Sequence, residues 1–289
     1  MNWTERRERF RGILSGGQCV YPASVFDPIS ARIAEGLGFE IGMFAGSTAS
    51  LTVLGAQDLI LITLTEFAAQ AYRICRAGSL ALMVDADHGY GNALNVMRTV
   101  EELETAGVSG LSIEDTKLPE PYGKSGSAKL TSIEEGVGKM RAALEARQDP
   151  NLVIAGRTSA PQITGIEDTI KRVNAYEKAG VDAIFLVGIK TRKQLEGISP
   201  AIRIPIILGT IGPKLRDIDY LSRQGVRIAL QGHQPIMASI QAVHVTLKAL
   251  REGTPPEKLN NLADDDLKKQ VTCDASVGRW RKKFLRGES

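Results

Sequence analysis

Cysteine and histidine are scarce. Three of each occur in 289 residues, and Cys19, Cys75 and Cys273 lie far apart. An odd number of cysteines without metal spacing excludes a disulfide framework and a structural zinc site, and fits a reducing compartment. Aromatics make up only 5%, and the net charge is only +3, from 36 Lys and Arg against 33 Asp and Glu. That balance leaves no basic footprint for nucleic acid. The densest basic run, Arg279, Arg281, Lys282 and Lys283, reads as a solvated face. No run of about 18 apolar residues occurs, so no membrane span is expected. The N-terminal stretch MNWTERRERFRG is charged and lacks the apolar run of a signal peptide, which points to a cytoplasmic protein.

What is present is ordinary globular material, 43% hydrophobic and 24% charged. One pattern recurs: a helical stretch ends in Gly and runs straight into an apolar strand. It occurs at Leu37-Gly38-Phe39, Ala106-Gly107-Val108, Ala179-Gly180-Val181 and Gln224-Gly225-Val226. The physical reading is a helix stopped by a left-handed glycine that feeds a buried strand. Eight strand-like runs follow, at 19–24, 41–45, 80–85, 110–114, 152–157, 183–187, 206–209 and 227–231. Amphipathic helices separate them. Ile133, Val137, Met140 and Leu144 form one apolar stripe behind a Ser132-x-x-Glu135 capping box; Ile166, Ile170 and Val173 form another. Eight alternating units predict an α/β fold of the (β/α)8 TIM-barrel type. A doubly wound open sheet is the alternative, weakened because no G-x-G-x-x-G follows the first strand.

The last core helix spans 236–252, and Thr254-Pro255-Pro256 breaks the chain after it. We therefore expect a catalytic barrel over 1–253 and a C-terminal helical extension over 254–289. Trp280 and Phe284 would anchor the extension on a neighbour or a second subunit.

Chemistry in such a barrel gathers at the C-terminal ends of the strands. Unusual polar residues fall there: Ser24 and Asp27, Ser47, D-A-D-H-G-Y-G-N at 85–92, Glu114-Asp115, Arg157-Thr158 and Gln231-Gly232-His233. Strand alternation puts Asp85 and Asp87 on one side, with Glu114 at the adjacent strand end. Three converging carboxylates repel one another and call for a cation; hard oxygen donors suit Mg2+, or Mn2+. Arg157 ends an apolar run and is either a bidentate clamp for a substrate carboxylate or phosphate, or the ion-pair partner of the site's acids. His233 is either a substrate donor and proton carrier or a hydrogen-bonded rim residue. His88 is structural or stands behind the site, and His244 is expected to pack within a helix.

These residues resemble the isocitrate lyase/phosphoenolpyruvate mutase superfamily. The resemblance rests on D-A-D-H-G-Y-G-N, S-I-E-D-T at 112–116, F-A-G-S at 44–47 and G-R-T at 156–158. It runs from V-F-D-P-I-S-A-R at 25–32 to Gly232-His233 and is nearest to the oxaloacetate decarboxylase branch. It implies a barrel whose eighth helix is exchanged between subunits, in dimers that pair into a homotetramer. It implies Asp85 as the direct Mg2+ ligand, with Asp87, Glu114 and Asp58 acting through waters. It implies substrate contacts from Ser47, Arg157 and His233, and α-keto acids or their enolates as ligands.

The lyases of that superfamily carry Lys-Lys-Cys-Gly-His in the loop after the fourth strand. Here that loop reads T-K-L-P-E-P-Y-G-K-S-G-S-A-K-L, with no Cys or His. Two further departures are Ile211, where decarboxylase relatives tend to have a hydroxylated aromatic, and Ser159, where the lyases have Asp. The expected reaction is Mg2+-dependent decarboxylation of oxaloacetate to pyruvate and CO2 through a metal-stabilised enolate, which needs no strong base. Arg157 and the backbone near Ser47 would hold the C1 end, His233 the departing carboxylate, and the 115–131 loop would act as a lid. The alternatives are another α-keto acid lyase, such as a substituted-malate C–C lyase, a phosphonopyruvate hydrolase, or a non-catalytic binding barrel.

Overall fold

The computed structural model describes residues 3–120, 122–123 and 128–286. Its centre is one sheet of eight parallel strands in chain order. The strands are β1 (Ala23–Ser24), β2 (Ile41–Phe44), β3 (Ala81–Asp85), β4 (Gly110–Glu114), β5 (Val153–Thr158), β6 (Ala183–Leu186), β7 (Ile206–Leu208) and β8 (Val226–Ala229). The sheet curls until its edges approach. Val20 bridges to Ile228, with Val20 N donating to Arg227 O at 2.8 Å and Ala229 N to Val20 O at 3.1 Å. This is an α/β fold of the modified TIM-barrel kind, followed by C-terminal helices.

All four glycine stops are left-handed, with φ of 82° at Gly38, 90° at Gly107, 103° at Gly180 and 80° at Gly225. Seven of the eight strands lie within two residues of their expected ends. The first is shorter than expected. Tyr21-Pro22 interrupts it, because Pro22 has no N–H to donate to a ladder.

Alternation sorts the strand residues into two layers. Met83, Ala155 and Phe185 pack inside the curl, whereas Val84, Ile154 and Ile184 pack outward under the helices. Asp85, Glu114 and Arg157 continue the inner phase of β3, β4 and β5. They emerge where the apolar interior ends.

The helix Trp3–Ser15 closes the opposite end, with Phe10 and Leu14 in the interior cluster. A Cβ on Gly110 would lie 2.8 Å from the Phe10 ring, so glycine at the start of β4 makes room for it. Arg7 is buried beneath this helix. Its Nε donates to Val108 O at 3.0 Å, Nη2 to Glu104 O at 2.6 Å and Nη1 to Asp149 Oδ2 at 2.8 Å. Arg7→Met would leave two carbonyls and a carboxylate short of a donor. We expect a loss of about 2–4 kcal/mol in urea unfolding.

The helix Ile133–Ala146 is turned relative to its predicted stripe. Gly136, Lys139, Met140 and Ala143 are buried, and Val137 and Leu144 are flanking. Ser132 accepts from Glu135 N at 3.1 Å as the cap. The helix Gln234–Arg251 buries only Ile236, while Met237, Ile240, Val243 and Leu247 are exposed. His244, expected to pack, is exposed as well, because no element among the described residues covers the helix face it shares. Beyond it, helix Asp265–Thr272 packs on helix Pro28–Gly36, where Arg32 Nη1 donates to Val271 O at 2.6 Å. Trp280 and Phe284 are exposed. Among the described residues no helix is long and apolar enough to cross a membrane.

Candidate active site

Strand register brings the acids and the arginine together. Glu114 and Arg157 are direct partners across β4 and β5, and Asp85 partners Ser112 across β3 and β4. The Arg157 guanidinium therefore reaches both neighbours. Nη1 pairs with Asp85 Oδ2, and Nη2 lies 3.2 Å from Glu114 Oε2. Its Cζ stands 5.6 Å from the Phe185 ring centroid, so an aromatic face supports it from below. Of the two readings of Arg157, the ion pair is the one seen. Burial by itself would lower the guanidinium pKa, but Asp85, Glu114 and Asp87 outweigh that and raise it.

Asp87 follows β3 in a left-handed turn, with φ 48°. Its N donates to Asp85 Oδ1 at 3.2 Å, and Ser112 Oγ donates to the same oxygen at 3.2 Å. A Cβ on Gly46 would lie 2.9 Å from Asp87 Oδ2, so glycine there lets the carboxylate sit against the end of β2. Asp87 Oδ2 is buried and has no hydrogen-bond partner among the described residues. Burial, then the charge of Asp85, pushes the Asp87 carboxyl well above the usual carboxylate range. Glu114 and Asp58 are raised too, chiefly by burial, with Asp85 adding to both.

Asp58, Asp87, Glu114 and Arg157 line one cavity of about 590 Å3, with an apolar wall that includes Leu59 and Leu118. Asp85 borders it through Arg157. Ser47 is the second residue of the short helix Gly46–Ala49, after the glycine that adjoins Asp87, and does not line the cavity. His233 does not line it either; its Nδ1 lies 2.9 Å from Ser24 Oγ, and burial lowers its pKa against the pull of Asp85. Asp27 and Asn92 turn out to be helix caps.

Asp115 is a correction to the rim inferred from sequence. One residue beyond Glu114, alternation turns it away from the mouth. It accepts from Tyr176 OH at 2.6 Å and Arg172 Nη1 at 3.0 Å. Of the two departures, Ser159 lines the cavity, whereas Ile211 is packed in the core with its N on Leu230 O at 2.9 Å. The stem of the 115–131 loop is a narrow ribbon: Thr116 pairs antiparallel with Leu130, and Lys117 N donates to Lys129 O at 2.7 Å. Its Pro121 and residues 124–127 lie outside the described residues.

The acids suit a hard divalent cation in donor chemistry. Four carboxylates face a single guanidinium, and one buried carboxylate oxygen has no donor. Among the described residues, no three of His, Cys, Asp and Glu are spaced to share one ion, and Arg157 lies between Asp85 and Glu114. Sequence reasoning missed two contributors, Ser112 and the Leu59–Leu61 wall. Ser112 was legible from its inner-phase position; the wall carries no local signal.

A curled parallel sheet with acids and a guanidinium at its C-terminal mouth defines an enzyme built on the α/β-barrel plan. The chain belongs to the phosphoenolpyruvate phosphomutase family, whose model matches residues 10–251. It is a close homologue of oxaloacetate decarboxylases. Identity is 58% over 285 residues, 99% of each chain, with the oxaloacetate decarboxylase of Rhodopseudomonas palustris (strain BisB18). It is 58% over 277 residues, 96% of each chain, with that of Bradyrhizobium diazoefficiens. A solved phosphonopyruvate hydrolase, in complex with oxalate and Mg2+, superposes with a TM-score of 0.86 at 27% identity, over 97% of this chain and 99% of that one. Related enzymes of this fold thus bind Mg2+.

Proposed function

We propose that this chain decarboxylates oxaloacetate to pyruvate and CO2. The observation that carries the reading is the convergence of Asp58, Asp87, Glu114 and Arg157 on one cavity, with Asp85 paired to Arg157. Near-full-length identity to oxaloacetate decarboxylases supports it. Asp85, Asp87, Glu114 and Asp58 would hold Mg2+ or Mn2+, and the ion when bound supplies the positive charge that stabilises electrons released at the keto end.

The protein's own groups do the rest. Arg157 offers a planar fork for the C1 carboxylate, and the backbone at Ser47 adjoins that end. The Phe185 face limits how far the fork can tilt. His233 would orient the C4 carboxylate. Its Nδ1 lies 2.9 Å from Ser24 Oγ; in the tautomer where Oγ donates to Nδ1, the ring hydrogen sits on Nε2 and is available to an anion. Breaking the C3–C4 bond releases CO2 and leaves its electron pair on the substrate as an enolate, which takes a proton from water at C3 to give pyruvate, so no general base is needed. The absence of Cys and His from the 115–131 loop suits that chemistry. That loop supplies Leu118, Pro119 and Ala128 to the cavity wall, where they would exclude water.

The same reading extends to the assembly. Residues 1–253 form the catalytic barrel and 254–289 the extension. The exposed apolar residues of helix Gln234–Arg251 support its exchange between subunits, and dimers would pair into a homotetramer. Three free cysteines support a cytoplasmic setting.

The test is product analysis on the purified chain. With Mg2+ and oxaloacetate, pyruvate and CO2 should appear in equal amounts. EDTA should abolish both, and added Mg2+ should restore them. Phosphonopyruvate and 2,3-dimethylmalate should turn over at least about a hundredfold less efficiently, a gap of roughly 2.7 kcal/mol in transition-state binding. A panel member that outruns oxaloacetate would reassign the chain to another α-keto acid lyase or hydrolase.

A further inference from the structure

The turn that carries Asp87 is unusual. Asp87, Gly89, Tyr90 and Gly91 all have positive φ, at 48°, 78°, 56° and 152°. Asp87 and Tyr90 are not glycines, so the surroundings must hold this backbone in place. Besides the bond from Asp87 N to Asp85 Oδ1, several hydrogen bonds do so. Gly89 N donates to Ala86 O at 2.9 Å, and Glu114 N to Asp87 O at 2.8 Å. Thr99 Oγ1 lies 3.1 Å from Gly89 O and 3.0 Å from Asn95 O, so its single hydrogen is shared between them, and Lys139 Nζ donates to His88 O at 2.8 Å.

The last of these is the odd one. Lys139 projects from helix Ile133–Ala146 and is 3% exposed. Among the described residues it forms no ion pair within 4 Å, so its ammonium is buried against a neutral carbonyl. A neutral or apolar residue would suit a plain core position better, because a buried ammonium is costly to desolvate. The acids that face it are Glu135 on its own helix and Glu114 and Asp115 at the end of β4. The ammonium thus holds the turn at the carbonyl of His88, the residue after Asp87, with Glu114 and Asp115 among the acids that act on it.

We propose that Lys139 is a positioning residue for the divalent cation: it locks the 86–91 turn so that the Asp87 carboxylate is presented to the ion without rearrangement. This rests on the cation reading given above. It adds a residue that contacts neither ion nor substrate, and whose side chain lies outside the cavity. Its effect is preorganisation, since a turn free to relax must be reordered whenever an ion binds.

The test counts bound Mn2+ by electron paramagnetic resonance on the full chain, with melting temperature followed in EDTA. Lys139→Met should weaken Mn2+ at least about tenfold, and Lys139→Arg, which keeps a charged donor, should recover most of that affinity. Thr99→Val removes the hydroxyl that Gly89 O shares with Asn95 O; it should weaken Mn2+ by roughly threefold, and it tests the locking of the turn if Lys139→Met does not fold. A lower melting temperature with Mn2+ affinity within twofold of wild type in both variants would make Lys139 a structural residue only and overturn the proposal. Failure of the wild type to bind Mn2+ would instead remove the cation reading, and this inference with it.

Discussion

Arg157→Ala should lower kcat/KM for oxaloacetate by about a thousandfold or more. Two losses combine. On the role proposed for Arg157, the substrate would lose its carboxylate clamp, and removing one such contact typically costs about 10²–10³ in rate. Asp85 and Glu114 also lose the guanidinium that lies between them, and leaving buried charges unpaired costs about 3–5 kcal/mol. Arg157→Lys should recover little, since a single ammonium cannot span two strand ends as the fork does. The measurement is pyruvate release followed with a coupled dehydrogenase. A variant within twofold of wild type would remove Arg157 from the mechanism.

Asp85→Asn should be comparably severe, and it should also abolish the response to the ion. For the wild type, Mg2+ at a hundred times its Kd should stabilise the fold by about 2.7 kcal/mol. For a chain of this size, that is a rise of roughly 5–10 °C in melting temperature. The asparagine variant keeps the shape of Asp85 and an acceptor for Ser112 Oγ and Asp87 N, and loses the charge together with the acceptor for Arg157 Nη1. It should fold, show no Mg2+-dependent rise and turn over at least about a thousandfold more slowly. A preserved thermal response would mean that the ion is held elsewhere.

The eight strands and the helices between them were legible because both periods are local. Two residues per repeat in strands, 3.6 in helices and a glycine wherever φ must be positive need no knowledge of distant chain. The same local rule located the site: once β3, β4 and β5 were assigned, Asp85, Glu114 and Arg157 had to fall at their C-terminal ends. It also misled. Asp115 looked like part of the rim, but one step along a strand reverses the side chain, and it joined Arg172 and Tyr176 behind the sheet.

What the sequence by itself determined is therefore the alternating α/β plan, its stops and the strand ends at which charge accumulates. Only the tertiary structure decided which charges meet. Arg157 bridges Asp85 and Glu114 because the β4–β5 register places it directly opposite Glu114. Lys139 reaches the carbonyl of His88, 51 positions away, because its helix is turned from the stripe that apolar spacing suggests. Phe10 enters the interior because Gly110 has no side chain to exclude it. Each is a pairwise contact between segments far apart in the chain. Its energy depends on register and rotation, which a repeating local pattern leaves open.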